Sequence, residues 1–230
     1  MIIKKDIGDF ICKPNNRAKR IIVRFRDGVF HLTYPFSTKK SDIEDAIVSM
    51  TSKLISLKES SSKKLALAPE IELETFSFTA KIIEAKTSQY YSTLKDKYLY
   101  IACPINSSYS DPFLQSWIRN CIEQNLRKEA KRIFPNWIAD LAIKHEFNYN
   151  SIKINKSRSR WGSCSFQKNI NISYFCLLLP RHLIELVILH ELCHTIEMNH
   201  SSRFWQLLDK VMQGKAKQLT IELKRFKSPF

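Results

Sequence analysis

His190-Glu191-Leu192-Cys193-His194 places two imidazoles and a carboxylate within five consecutive residues. On a helix with 3.6 residues per turn, the two histidines fall about 40° apart and one turn apart. Both rings can then reach one ion. Glu191 falls about 60° from His194, close enough to hold a metal-bound water without ligating the ion. This H-E-x-x-H spacing points to metal-assisted hydrolysis, with Glu191 as general base: it takes a proton from the water and passes it to the leaving group. The competing reading is a surface helix that happens to carry two histidines.

A catalytic tetrahedral site needs a third protein ligand and one open position. His200 follows His194 by six residues. On an uninterrupted helix it points away, so it can ligate only if the helix ends first and the chain turns back. Asn199 tolerates a left-handed helix end, and Ser201 or Ser202 can cap a following helix. Asp209 and Glu222 are the acidic competitors for the same role. His31, His145 and His182 have no matching partners and read as structural or surface residues. Cys164 and Cys193 lack an evident base, so they read as buried packing rather than nucleophiles.

Positioning these residues requires a scaffold, and its elements can be read in turn. Alternation over 19–25, a turn at Asp27-Gly28 and a second run over 29–34 predict a hairpin. Ser41-Asp42-Ile43-Glu44 matches a capping box ahead of an amphipathic helix over 42–58. Residues 70–84 and 97–103 read as strands, the second ended by Pro104. A helical stripe from Leu114 to Ile133 stops at Pro135, and a shorter helix follows over about 136–147. Residues 151–178 alternate again as strand. Pro180 opens a helix running to about 196, and another covers about 202–213. The fold expectation is α+β: a β-rich region over 1–108 with one amphipathic helix, then a second domain over 109–230. Gly162, between Trp161 and Ser163 in a chain with only four glycines, marks either a strand edging the metal cleft or a tight contact with the metal helix. Phe204 and Trp205 read as core residues that dock the last helix.

The run from His190 to Trp205 (HELCHTIEMNHSSRFW), preceded by Ser159-Arg160-Trp161-Gly162-Ser163-Cys164 and by Leu179-Pro180, resembles the YgjP-like metallopeptidase family. That family is related to the SprT-like and WLM zincins. The similarity is most specific over about 150–212. It implies a zincin-like catalytic domain over 109–230 with an HExxH active-site helix. It further implies one Zn2+ per chain on His190, His194 and His200, with Glu191 as base. The implied activity is a zinc metallopeptidase, a hydrolase of peptide or protein substrates. The alternatives that come with the resemblance are a metal-dependent nucleoside-triphosphate (UTP) pyrophosphatase and a DNA-associated SprT/WLM-like protease.

Composition bounds these readings. The chain has 230 residues, 44% of them hydrophobic, which excludes a disordered polymer. Thirty-seven Lys+Arg against 22 Asp+Glu leave a net charge of +15. Residues 151–181 hold six basic and no acidic side chains, and the last 30 residues hold seven basic and two acidic. Both basic segments flank the metal motif and are candidate contacts for a nucleotide or nucleic acid. Phosphate-cradling Gly-rich loops are missing, which favours the peptidase over the pyrophosphatase. A structural zinc site would use four protein ligands, often Cys, and no fourth ligand is apparent. Six cysteines without a CxxC pair, no secretory leader and no apolar stretch of ~20 residues give the expectation of a reduced, cytoplasmic protein with no membrane partner.

Overall fold

The computed structural model describes residues 2–5, 7–26, 28–62 and 66–226. It is a mixed α+β structure with three small sheets and six α-helices among those residues. The chain forms two compact units. One contains 1–68 and 107–119, and the other contains 69–106 and 120–229. Residues 69–106, on the N-terminal side of the boundary expected near 108, therefore group with the second unit.

In the first unit, β1 (Ile2–Lys5), β2 (Gly8–Pro14), β3 (Ile22–Arg26) and β4 (Val29–Tyr34) form a sheet in the order β1-β2-β4-β3. The expected hairpin is the antiparallel β3–β4 pair, while β2 and β4 run parallel. Alternate residues of β2 and β4 point inward: Phe10, Cys12, Phe30 and Leu32 pack against Ile43, Ile47 and Leu54. The helix expected over 42–58 is two helices, α1 (Lys40–Ser49) and α2 (Thr51–Ser62). The hydroxyls of Ser49 and Thr51 donate back to the carbonyls of Ala46 (3.0 Å) and Val48 (2.8 Å), and such back-bonding competes with the helical ladder at the break. Ser41 lies inside the first turn and is not the cap. The helix starts earlier, where the Asp42 carboxylate accepts the Lys39 N–H at 3.2 Å.

In the second unit, β5 (Glu72–Glu74), β6 (Thr79–Ala85), β7 (Tyr91–Lys95) and β8 (Tyr98–Pro104) form a sheet in the order β5-β6-β8-β7. One face buries Leu73, Ala80, Ile82, Leu99 and Ile101.

Helix α3 (Pro112–Lys144) begins in the first unit and continues into the second. It passes through Pro135, where sequence placed a break. The buried stripe Ile118, Ile122, Leu126, Ala130, Phe134, Ile138 and Leu141 continues across the proline in steps of three or four. Proline removes one N–H, but the carbonyl it would have served belongs to exposed Lys131, where water can satisfy it. Packing of one continuous apolar face outweighs the lost bond.

The elements nearest the histidines follow. The third sheet has the order β10-β11-β9, from β9 (Ser151–Asn155), β10 (Gly162–Cys164) and β11 (Asn169–Ser173). Here β11 pairs parallel with β9 and antiparallel with β10, so β10 is an edge strand. A 3-10 turn (Tyr174–Leu178) leads into α4 (Arg181–Cys193), α5 (Ser202–Val211) and α6 (Ala216–Arg225). Helix α4 buries residues all round, including Leu183, Ile184, Val187, Ile188 and Leu192, as a central core helix does. No helix among the described residues is long and apolar enough to cross a membrane.

Candidate metal centre

Pro180 fixes the start of α4, and its carbonyl accepts the N–H groups of Leu183 and Ile184. The helix ends at Cys193, earlier than the expected 196. His194 is the C-cap residue but keeps helical angles (φ −65°, ψ −13°), so His190 and His194 retain their one-turn spacing. The chain then turns: the N–H groups of Ile196 and Glu197 both bond the Cys193 carbonyl. The turn is made without a left-handed residue at Asn199, contrary to the sequence expectation. Ser201 caps α5, its hydroxyl accepting the Phe204 N–H at 3.4 Å. The helix end and the new cap together swing His200 back over α4.

Three imidazoles meet there. Nε2 of His190 lies 3.1 Å from Nε2 of His194 and 3.0 Å from Nε2 of His200. The possible ligand atoms of all three lie within 4.8 Å of one another. His194 Nδ1 sits 3.0 Å from the Glu197 carbonyl oxygen. A carbonyl only accepts, so Nδ1 carries the proton and Nε2 presents a bare lone pair. Burial, with His194 and His200 as neighbours, pushes the His190 imidazole down to about 3, and burial lowers His194 as well. The bare Nε2 of His194 and the other two ring nitrogens converge on one point, where a cation would be held. Zn–N bonds of about 2.0–2.1 Å in tetrahedral geometry put nitrogens roughly 3.3 Å apart, near the separations found here. The donor set therefore fits a metal ion.

Glu191 lies beside this cluster and outside it. Its carboxylate is buried, and Oε2 has no hydrogen-bond partner. Burial pushes the carboxyl up to about 8, against the opposing field of Arg160. Gly162 on β10 explains how the side chain fits: a Cβ there would stand 2.6 Å from Glu191 Oε1 and 2.7 Å from its Cγ. Of the two readings of that glycine, the tight contact is present, and β10 is also a sheet edge.

The acidic competitors are occupied elsewhere. Asp209 Oδ1 accepts the Ala216 N–H at 3.2 Å and so caps α6, while Glu222 pairs with His182 at 2.7 Å. The His145 ring lies 6.4 Å from that of Phe147, away from the cluster's ligand atoms, and His31 sits in β4. Burial pushes the Cys193 thiol up to about 12 and raises Cys164 too, so neither is a poised nucleophile.

Two contributors carry no signal of metal chemistry in sequence. Phe204 is fully buried, as expected of a core residue, but its neighbours are the histidines themselves: ring centroids lie 4.9, 4.5 and 4.7 Å from those of His190, His194 and His200. It is the platform that orients all three rings. The other is the Glu197 carbonyl, a backbone group that no residue type announces. Trp205, expected in the core, is instead 38% exposed and lies 6.0 Å from the His200 ring.

No curated protein matches this chain. Among solved structures, the crystal structure of the metallopeptidase zymogen of Pyrococcus abyssi abylysin is similar at 21% identity and a TM-score of 0.35. That match covers 39% of this chain and 90% of the other, and it is too slight to bear on the site. Family comparison is decisive, because residues 19–226 match the YgjP-like metallopeptidase domain, a family that implies a metal cofactor and hydrolase chemistry. With a three-histidine cluster able to hold that metal, the chain belongs to the YgjP-like metallopeptidase family.

Proposed function

We propose that this protein is a zinc-dependent peptidase in which His190, His194 and His200 hold the metal and Glu191 is the general base. The observation that carries the reading is the convergence of three Nε2 atoms beside a buried carboxylate with an unpartnered oxygen. Zinc, when bound, would supply Lewis acidity and bring the pKa of a coordinated water toward neutrality. Glu191 takes the proton of the attacking water and delivers it to the leaving amine. The Glu197 carbonyl and Phe204 keep the rings aimed.

A peptide substrate is favoured over a nucleoside triphosphate by the surroundings. Edge strand β10 lies against Glu191, where an extended peptide can add by backbone pairing. Two of the basic residues flanking the motif are committed elsewhere: Arg158 pairs with Glu123, and Arg181 stacks 5.0 Å over the Trp137 ring. Six free cysteines fit a reducing, cytoplasmic location.

The test pairs zinc-loaded protein and its Glu191→Gln variant against a peptide library and against UTP. Peptide cleavage by the parent, reduced ~10²-fold in a variant that keeps its zinc, is the expected outcome. Cleavage of UTP alone replaces the substrate class, and loss of zinc in the variant makes Glu191 a ligand or a support of one.

A further inference from the structure

Helix α3 carries exposed basic residues outside the two basic segments that flank the metal motif. Between Asn120 and Asn136 the exposed positions of α3 are Asn120, Gln124, Arg127, Lys128, Lys131, Arg132 and Asn136. Residues three and four apart share one side of a helix, so these form a continuous polar face with cations at its centre. Arg132 is committed to Glu129 at 2.6 Å, whereas Arg127, Lys128 and Lys131 form no ion pair among the described residues.

The loop after β9 packs against α3 beside this face. The Arg158 guanidinium reaches Glu123 on α3 and lies 4.3 Å over the Phe175 ring. Tyr174 donates its hydroxyl to the same Glu123 at 3.0 Å. Glu123 is one helical turn before Arg127, so the loop rests against α3 where the basic stripe begins. Other bonds pin it: Asn155 Oδ1 accepts the Ser157 N–H at 2.9 Å, and the Ser157 carbonyl accepts the Ser173 hydroxyl at 2.7 Å. On this pinned loop the cations of Lys156 and Arg160 stay exposed and outside any ion pair among the described residues.

We propose that the α3 face around Arg127, Lys128 and Lys131 binds the phosphodiester backbone of nucleic acid. Three cations outside any ion pair among the described residues, on one face of a helix in a chain of net charge +15, complement a polyanion, and counterion release would drive the association. An anionic membrane is the other polyanion to consider. A membrane-bound helix buries an apolar face, and the exposed positions of α3 from Asn120 to Asn136 carry no apolar side chain. Among the exposed positions of α3 from Asn120 to Asn136 there is no aromatic side chain on which a base could stack, so binding runs through the phosphates. This inference does not rest on the peptidase reading.

The experiment measures anisotropy of a labelled mixed-sequence duplex, and of its single strand, against the full zinc-loaded chain over a salt series. Vesicles containing phosphatidylserine form a parallel arm. Binding to nucleic acid at low salt should weaken steeply as salt rises. Arg127→Gln/Lys128→Gln/Lys131→Gln should weaken it at least ~10-fold and lower the log–log salt slope by about 2–3, in proportion to the cations removed. Lys131→Gln alone, the milder change, should lower that slope by about one. Lys215→Gln/Lys217→Gln/Lys224→Gln, around α6, should leave affinity unchanged. The proposal is overturned by no binding at low salt, by wild-type affinity in the α3 variants, by equal weakening in the α6 variant, or by binding to vesicles alone.

Discussion

Gly162 and Glu191 show how one missing side chain sets the geometry of another. The strand passes so close to α4 that any Cβ at 162 must displace the carboxylate, because it would stand 2.6 Å from Oε1. Gly162→Ala should therefore act on the glutamate rather than on the metal. Forced repacking of this kind costs about 1–3 kcal/mol, and hydrolysis should fall while zinc content stays near wild type. Thermal unfolding, metal analysis and peptide cleavage on one preparation check this; normal activity would mean that Glu191 relaxes without consequence. The H-E-x-x-H spacing made the grouping of Glu191 with His190 and His194 on one helix legible in sequence. The contact itself was only half legible, since a glycine in a strand signals closeness without naming the neighbour.

Elements hold the histidines through groups that are not ligands. Phe204, the first buried residue of α5, lies within ring contact of all three. Removing a buried phenylalanine costs about 3–5 kcal/mol, so Phe204→Ala should destabilise the protein. It should also weaken zinc affinity measured by competition with a chromophoric chelator, whereas unchanged affinity would reduce Phe204 to ordinary packing. Asp209 is the complementary case. As the cap of α6, its replacement by Ala should cost about 1 kcal/mol and leave zinc in place; zinc loss would make it a ligand after all. Strongly periodic elements such as the β3–β4 hairpin and α4 were readable from sequence. Helix α6 was not, because its cap comes from Asp209, seven residues before the first helical position, and only Ala216 is buried on it. Strand β7 was missed for a related reason: as an edge strand it exposes most of its residues, so it shows no alternation. Its tight turn uses Asp96 and Lys97 at positive φ (50° and 66°) in place of the usual glycine. Pro135 misled in the opposite direction, since a local rule gave way to the buried stripe on either side of it.

At the scale of the whole molecule, the family match runs from residue 19 to residue 226 and so includes segments of both compact units. The three-histidine cluster proposed to hold the metal lies wholly within the second unit, on α4, the turn after it and the residue before the α5 cap. Its central requirement is that a residue arriving from the turn completes what α4 begins. Elemental analysis of purified wild-type protein beside His200→Ala tests this most directly. The account predicts about one zinc per chain in the wild type and little in a variant that remains folded by circular dichroism. A folded His200→Ala variant that retained the full wild-type zinc would contradict it, placing the third ligand elsewhere.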